Sequence, residues 1–91
     1  MNRQEANRRI ISILGNYPTS KMLEAVDFGG NAKDYRLILN SLQKNVESLK
    51  QFRFVQILWA MGLNLHYKSK EDRFYEESVE TLNILEKIIN N

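Results

Sequence analysis

A run of apolar residues at helical spacing between residues 35 and 49 constrains this chain more than any other feature. Such residues recur every three or four positions, so on an α-helix they form one continuous stripe. Charged and amide side chains cover the opposite side of the same segment. The pattern therefore predicts an amphipathic helix over approximately 31–50. Its stripe consists of Tyr35, Ile38, Leu39, Leu42, Val46 and Leu49.

Four further helices are predicted from apolar periodicity and from the residues that commonly begin or end helices. Asn2 with Glu5 three positions later resembles a capping box at the start of the first helix. Ser69 and Asp72 are candidate caps at the start of the last helix. Gly62 lies where a glycine would end the preceding helix. The predicted ranges are approximately 2–15, 19–27, 52–62 and 72–89.

The segment from Phe52 to Leu63 is apolar on nearly every side, which is typical of a buried helix. A β-hairpin over 52–68 is the alternative, because a short apolar run does not distinguish a helix from a strand. No other segment favours a strand. The sequence therefore predicts an all-α fold, in which residues 1–91 form one compact single domain of four to five helices.

Length and composition exclude several classes of protein. A chain of 91 residues is long enough for one domain with one core. It contains no cysteine, so disulfides, thiolate metal sites and a cysteine nucleophile are excluded. No apolar run approaches the roughly 20 residues of a membrane span, and the polar start does not resemble a signal peptide. We therefore expect a cytoplasmic protein that does not contact a membrane.

Candidate catalytic and metal-binding groups are few. His66 is the only histidine, and its nearest carboxylates in sequence, Glu71 and Asp72, do not complete a typical zinc site. None of the serines lies in a nucleophile-elbow pattern, and the stretch FGGN at 28–31 lacks the rest of a phosphate-binding loop. The sequence therefore predicts a protein without enzymatic activity, without a cofactor and without a bound metal.

The stretch KEDRFYEESVETLNIL at 70–85 places aromatic and acidic residues side by side. Glu76 and Glu80 are four residues apart, so on a continuous helix they would share one face. Acidic residues in the first turns of a helix complement its positive end, which favours a solvated face over an acid–base site. Trp59 and Tyr75 are of the types that dominate binding energy when they reach a surface. The candidate protein-interface residues are Trp59, Tyr75, Glu76 and Glu80.

Residues 21–45 have the layout of a helix-turn-helix DNA-binding motif. Ala25 would be the small residue of the first helix, and Gly29 would be the turn glycine four positions later. The first half of the chain is mildly basic, with eight Lys/Arg against five Asp/Glu in residues 1–50. The formal net charge of the whole chain is only +2, which by itself does not indicate nucleic-acid binding. The candidate DNA-binding residues are Lys33, Arg36, Asn40 and Lys44.

Three segments resemble a group of short proteins that are common in phages and mobile elements of bacteria. They are NRQEANRRIISIL at the start, RFVQIL at 53–58 and DRFYEESVETL at 72–82, about a third of the chain. The pattern of the group is EANxxI, then RFxQxL, then DxFYEESxxTL. Val55 stands where a glycine is usual, and residues 19–50 show no such likeness. The resemblance implies a small cytoplasmic phage-type protein, and such proteins often bind host proteins, including components of defence systems.

These observations lead to three hypotheses about function. We expect a small non-enzymatic protein that binds, and inhibits, a host protein, with inhibition of a bacterial defence system as the sharpest version. The alternative is a DNA-binding regulator that uses residues 21–45. The third hypothesis is a structural homo-oligomer, in which the amphipathic helix over 31–50 pairs with a copy of itself. The expected partner is accordingly a host protein, nucleic acid or a second copy of the chain.

Overall fold

The computed structural model describes residues 1–16, 26–27, 35–63, 66–67 and 75–90. Within these ranges the chain forms four α-helices and two very short strands. The radius of gyration is 11.8 Å, close to the value of about 12 Å expected for a compact chain of this length. In chain order the elements are α1 (Arg3–Asn16), β1 (Val26–Asp27), α2 (Tyr35–Ser48), α3 (Phe54–Ala60), β2 (His66–Tyr67) and α4 (Ser78–Asn90).

One apolar stripe from each helix contributes to a single core. Helix α1 packs most extensively against α4 and next against α2, while α3 packs against α2 and α4. The buried apolar side chains of this core are Ala6, Ile10, Leu14, Leu42, Val46, Phe54, Ile57, Leu58, Leu82 and Leu85. Burial of these stripes is the main favourable contribution to folding. The all-α fold predicted from the sequence is therefore confirmed.

Local capping residues determine where α1 begins and where α3 ends. The backbone N–H of Glu5 donates to Oδ1 of Asn2 at 2.8 Å, which confirms Asn2 as the cap of α1. Helix α3 ends at Ala60, and Gly62 lies two residues further on with a φ of 74°, in the left-handed region that favours glycine. The N–H of Gly62 donates to the carbonyl of Trp59, and the N–H of Leu63 donates to that of Leu58. This pair of bonds is the Schellman motif. The helical interpretation of 52–62 is therefore confirmed over the hairpin.

The start of α4 differs from the prediction. The helix begins at Ser78, and residues 75–77 precede it in a non-helical conformation, whereas a start at 72 was expected. The carbonyl of Glu77 accepts the N–H of Thr81 at 3.1 Å, which places Glu77 at the N-cap. Arginines from two distant segments bind the Glu77 side chain, so tertiary contacts determine where this helix begins. The predicted caps at 69–72 lie outside the described residues.

The predicted second helix, over 19–27, is wrong at its end. Val26 and Asp27 are extended and pair antiparallel with Tyr67 and His66, respectively. β-Branched valine favours an extended backbone, and the partner segment at 66–67 satisfies the backbone groups. Two residues are too few to show a periodicity, so this ladder could not be predicted from the apolar pattern. Residues 19–25 lie outside the described part of the chain.

The remaining described boundaries lie within two residues of the predicted ones, and α1 and α4 each end one residue later than predicted. Helix α2 ends at Ser48 rather than near residue 50, and the predicted start at 31–34 is outside the described residues. Helix α3 occupies only the middle of the predicted range 52–62. Across the described ranges, no helix combines the length and the apolar character that a membrane-spanning segment requires.

Candidate functional site

A buried hydrogen-bond network joins three distant segments of the chain. The Asn7 side chain on α1 donates through Nδ2 to the carbonyl of Phe52 at 2.9 Å. The hydroxyl of Ser78, at the start of α4, donates to Oδ1 of Asn7 and accepts the backbone N–H of Phe54 at 3.1 Å. Asn7 and Ser78 are fully buried. Because every group in this network has a partner, it fixes the start of α3 and of α4 against α1.

An ion-pair cluster lies next to this network. Nη2 of Arg3 donates to the Glu77 carboxylate at 2.8 Å, and Nε of Arg53 donates to the same carboxylate at 2.5 Å. Nη1 of Arg3 also donates to the carbonyl of Gln51 at 2.7 Å. The three charged side chains, which we call the arginine cluster (Arg3, Arg53 and Glu77), are half-buried. Hydrogen bonds from Arg3 and then from Arg53 lower the pKa of Glu77 below its ordinary value.

Two exposed aromatic residues stand beside the arginine cluster in the chain. Phe52, which precedes Arg53, is 51% exposed, and Tyr75, two residues before Glu77, is 78% exposed. Since Arg53 and Glu77 are in direct contact, both aromatic residues lie at the same end of the molecule. We call this surface the arginine–aromatic end (the arginine cluster with Phe52 and Tyr75).

The structure separates the four predicted interface residues. Trp59 on α3 is 54% exposed, Tyr75 is at the arginine–aromatic end, and Glu80 is exposed on α4. Glu76, in contrast, is only 6% exposed and accepts the Thr81 hydroxyl at 2.6 Å. Glu76 precedes the helix, so the expectation that Glu76 and Glu80 share one helix face is wrong. The reason is the late start of α4, which leaves Glu76 outside the regular helical spacing.

Residues of the arginine–aromatic end other than Tyr75 were not identified from the sequence. Helical spacing alone does not show which distant segments meet, so neither the contact of Arg3 with Glu77 nor the exposure of Phe52 follows from it. The sequence contains one indication of the buried hydrogen-bond network, at Asn7. It lies three residues before Ile10 and seven before Leu14, so a polar residue stands on the apolar stripe of α1. A polar residue in such a position needs a buried partner.

The predicted DNA-binding residues form only part of the expected motif. Arg36, Asn40 and Lys44 are exposed at intervals of four residues along α2, whereas Lys33 is outside the described residues. A helix-turn-helix requires a helical backbone between Ala25 and the turn at Gly29. The extended pair at 26–27 does not provide it. The exposed strip on α2 is therefore present, but the helix-turn-helix layout is not.

The groove between α1 and α2 and the only histidine are two further features that could form a site. A groove of about 490 Å³ between α1 and α2 has an exposed ion pair of Arg8 and Glu47, at 3.3 Å, on its edge. Exposed pairs of this kind contribute little binding or folding energy. His66, the only histidine, lies in β2. Within the part of the chain that the structure describes, no group of three or more His, Cys, Asp or Glu residues could hold a metal ion.

Comparison with known protein families, with curated proteins and with solved structures found no match. The geometry nevertheless gives the three segments quoted for the resemblance a common role. Asn7 belongs to the first segment, Phe54 to the second and Ser78 to the third, and the buried network joins all three. These segments therefore act together in packing the helices, and the arginine–aromatic end is on the surface next to them.

Proposed function

We propose that this chain works by binding another protein, with the arginine–aromatic end as the contact surface. The observation that carries the proposal is the exposure of Phe52 and Tyr75 beside two arginines. Tyrosine, other aromatic residues and arginine are enriched among the residues that dominate binding energy at protein interfaces. Large apolar side chains that are exposed at one end of a small domain are also a common sign of an interaction surface.

The rigidity of this surface supports the proposal. Phe52 accepts a hydrogen bond from Asn7 through its carbonyl, and Arg53 is held by Glu77. A surface whose backbone is already ordered loses less conformational entropy on binding, so more of the contact energy contributes to affinity. Trp59 on α3 is a third aromatic residue with a large exposed surface.

The sharper form of the proposal is that the partner is a host protein and that binding inhibits it. In this form the chain is a small cytoplasmic phage or prophage protein, and the host protein belongs to a defence system. The support for this step is the resemblance of residues 2–14, 53–58 and 72–82 to phage-type proteins, together with the small size of the chain.

An affinity capture from bacterial lysate tests the proposal. We expect the wild-type chain to retain a partner in stoichiometric amount and the Tyr75→Ala variant to retain at least about tenfold less, as for loss of one dominant contact. Leu37→Ala is the matched control, because Leu37 is 64% exposed on α2 and lies outside the arginine–aromatic end. Retention of the same partner by wild type and Tyr75→Ala, or of no stoichiometric partner, contradicts the proposal.

DNA binding is the second candidate, and it is favoured by one observation. Arg36, Asn40 and Lys44 form an exposed strip on α2, and these residue types bind phosphates and base edges. A gel-shift titration with duplex DNA at several salt concentrations tests it. DNA binding predicts an affinity that falls with salt and that Lys44→Ala weakens, whereas Lys87→Ala on α4 leaves it unchanged. Absence of binding at low salt contradicts this candidate.

A further inference from the structure

The guanidinium group of Arg53 is fixed in place while most of its donors remain unused. Its Nε donates to Glu77, and the side chain as a whole is 30% exposed. Among the described residues, Nη1 and Nη2 of Arg53 make neither a hydrogen bond nor an ion pair. The edge formed by these two nitrogens is one of the two guanidinium edges that can bind a carboxylate with two parallel hydrogen bonds.

Three contacts hold this edge in its orientation. The backbone N–H of Arg53 donates to Oε1 of Gln56 at 3.4 Å, and the next N–H along the chain donates to Ser78. Arg3 holds the Glu77 carboxylate from the other side through Nε and Nη2. The guanidinium is therefore positioned before any partner arrives, so a ligand does not need to order a long flexible side chain.

We infer that the arginine–aromatic end binds an acidic segment of its partner protein. In this arrangement an Asp or Glu carboxylate of the partner accepts two hydrogen bonds from Nη1 and Nη2 of Arg53. An apolar side chain next to that carboxylate in the partner packs on the exposed rings of Phe52 and Tyr75. This inference rests on the proposed function, because it specifies the chemistry of the partner at the same surface.

The local charges agree with an anionic ligand and restrict its approach. Two guanidinium groups share the single carboxylate of Glu77, so the arginine cluster keeps a surplus positive charge. Glu80 is exposed one turn further along α4 and would repel a second carboxylate. The acidic segment should therefore approach from the side of α3 rather than along α4.

Nuclear magnetic resonance titration of the ¹⁵N-labelled full chain tests this inference. The probe is a capped pentapeptide with leucine between two pairs of glutamates, and its control is the same peptide with glutamines. We expect the glutamate peptide to cause saturable shifts in the Arg53 Nε–H signal and in the backbone amide signals of Phe52 and Tyr75. Because charge-assisted bonds are lost, the glutamine peptide should bind at least about tenfold more weakly.

Two arginine variants show whether binding of the peptide depends on the position of the positive charge or only on the net charge of the chain. Arg53→Gln should abolish the shifts, whereas Arg9→Gln removes an equal charge from an exposed site on α1 and should leave them unchanged. Arg53→Lys keeps the charge but lacks the two-pronged edge, and we expect intermediate binding. The ¹⁵N spectrum of each variant reports whether it is folded. The comparison of the two peptides on the wild-type chain does not depend on any variant.

Four results would overturn the inference. The first is equal binding of both peptides, or no shift with the glutamate peptide. The second is a shift at Arg53 with an oligonucleotide but not with the glutamate peptide, which would assign the surface to phosphates. The third is a concentration-dependent shift without any ligand, which would assign it to a second copy of the chain. Loss of a captured partner in Tyr75→Ala but not in Arg53→Gln would refute this inference and leave the proposed protein binding intact.

Discussion

At the scale of single residues, the buried pair of Asn7 and Ser78 is the most specific interaction of the fold. An amide and a hydroxyl are placed where apolar side chains usually lie, and both are fully buried. Burial of a polar group costs free energy unless it is hydrogen-bonded. The pair meets this condition together with the carbonyl of Phe52 and the N–H of Phe54.

Ser78→Ala should destabilise the protein because it leaves two buried groups without partners. These groups are Oδ1 of Asn7 and the backbone N–H of Phe54. We expect the free energy of unfolding to fall by about 1–3 kcal/mol, measured by urea denaturation. Ser41→Ala is the control, since Ser41 is exposed on α2, and it should change stability by less than about 0.5 kcal/mol. Equal stability of Ser78→Ala and wild type would show that the network is dispensable.

Glu77 should make stability depend on pH in the acid range. Its pKa in the folded protein is lowered from an ordinary value of 4.5 by hydrogen bonds from Arg3 and then Arg53. The contribution of this carboxylate is therefore fully present above the ordinary value and disappears as the pH falls through the lowered value.

The measurement is the difference in unfolding free energy between wild type and Glu77→Gln as a function of pH. We expect wild type to be the more stable at neutral pH and the difference to shrink below about pH 4.5. Glu80→Gln, which removes an exposed carboxylate from the same helix, serves as the control. A difference that stays constant down to strongly acid pH would mean that Glu77 does not carry the effect.

At the scale of elements, apolar spacing predicted the helices well where neighbouring residues determine the structure. The stripe of α2 from residue 38 to residue 49 and the helix-ending role of Gly62 after α3 are confirmed, because both depend on residues within one or two turns. The start of α4 was misplaced because Arg3 and Arg53, far away in sequence, hold Glu77 outside the helix. The strand at 26–27 was missed because its partner lies at 66–67.

The two glycines with described surroundings should respond to alanine in opposite ways. Gly62 has a φ of 74°, a conformation that is unfavourable for alanine, so Gly62→Ala should destabilise by about 1 kcal/mol. Gly15 lies in the last turn of α1 with open space around the position of a Cβ atom. Gly15→Ala should therefore stabilise by up to about 1 kcal/mol. Thermal unfolding of both variants measures the effects, and a shift of the same sign in both would contradict this account.

At the scale of the whole molecule, a single small core sets the stability. Leu85 is fully buried, and a domain of this size has a total stability of only about 5–15 kcal/mol. Leu85→Ala should cost about 2–5 kcal/mol because it removes buried apolar contacts and leaves a cavity. Leu37→Ala makes the same chemical change at an exposed site on α2 and should be nearly neutral. Urea midpoints compare the two, and similar losses would argue against one shared core.

The candidate surface could be predicted only in part, and the reason lies in the assembly of the molecule. Tyr75 and Trp59 were identified from residue type alone, since large aromatic residues often anchor interfaces. That Tyr75 lies at the same end of the molecule as Phe52 follows from the contact between Arg53 and Glu77, which joins the start of α3 to the segment before α4. No local pattern reports such a contact.

The packing of α1 against α4 has a consequence for how each copy is made. The most extensive helix contact joins the first and last described helices, and the hydrogen bond from Ser78 to Asn7 spans 71 residues. During translation, the apolar stripe of α1 leaves the ribosome long before the helix that covers it. The nascent chain therefore exposes this stripe to chaperones and proteases until α4 has been synthesised. Prematurely terminated copies should be degraded, and only copies that contain α4 should accumulate.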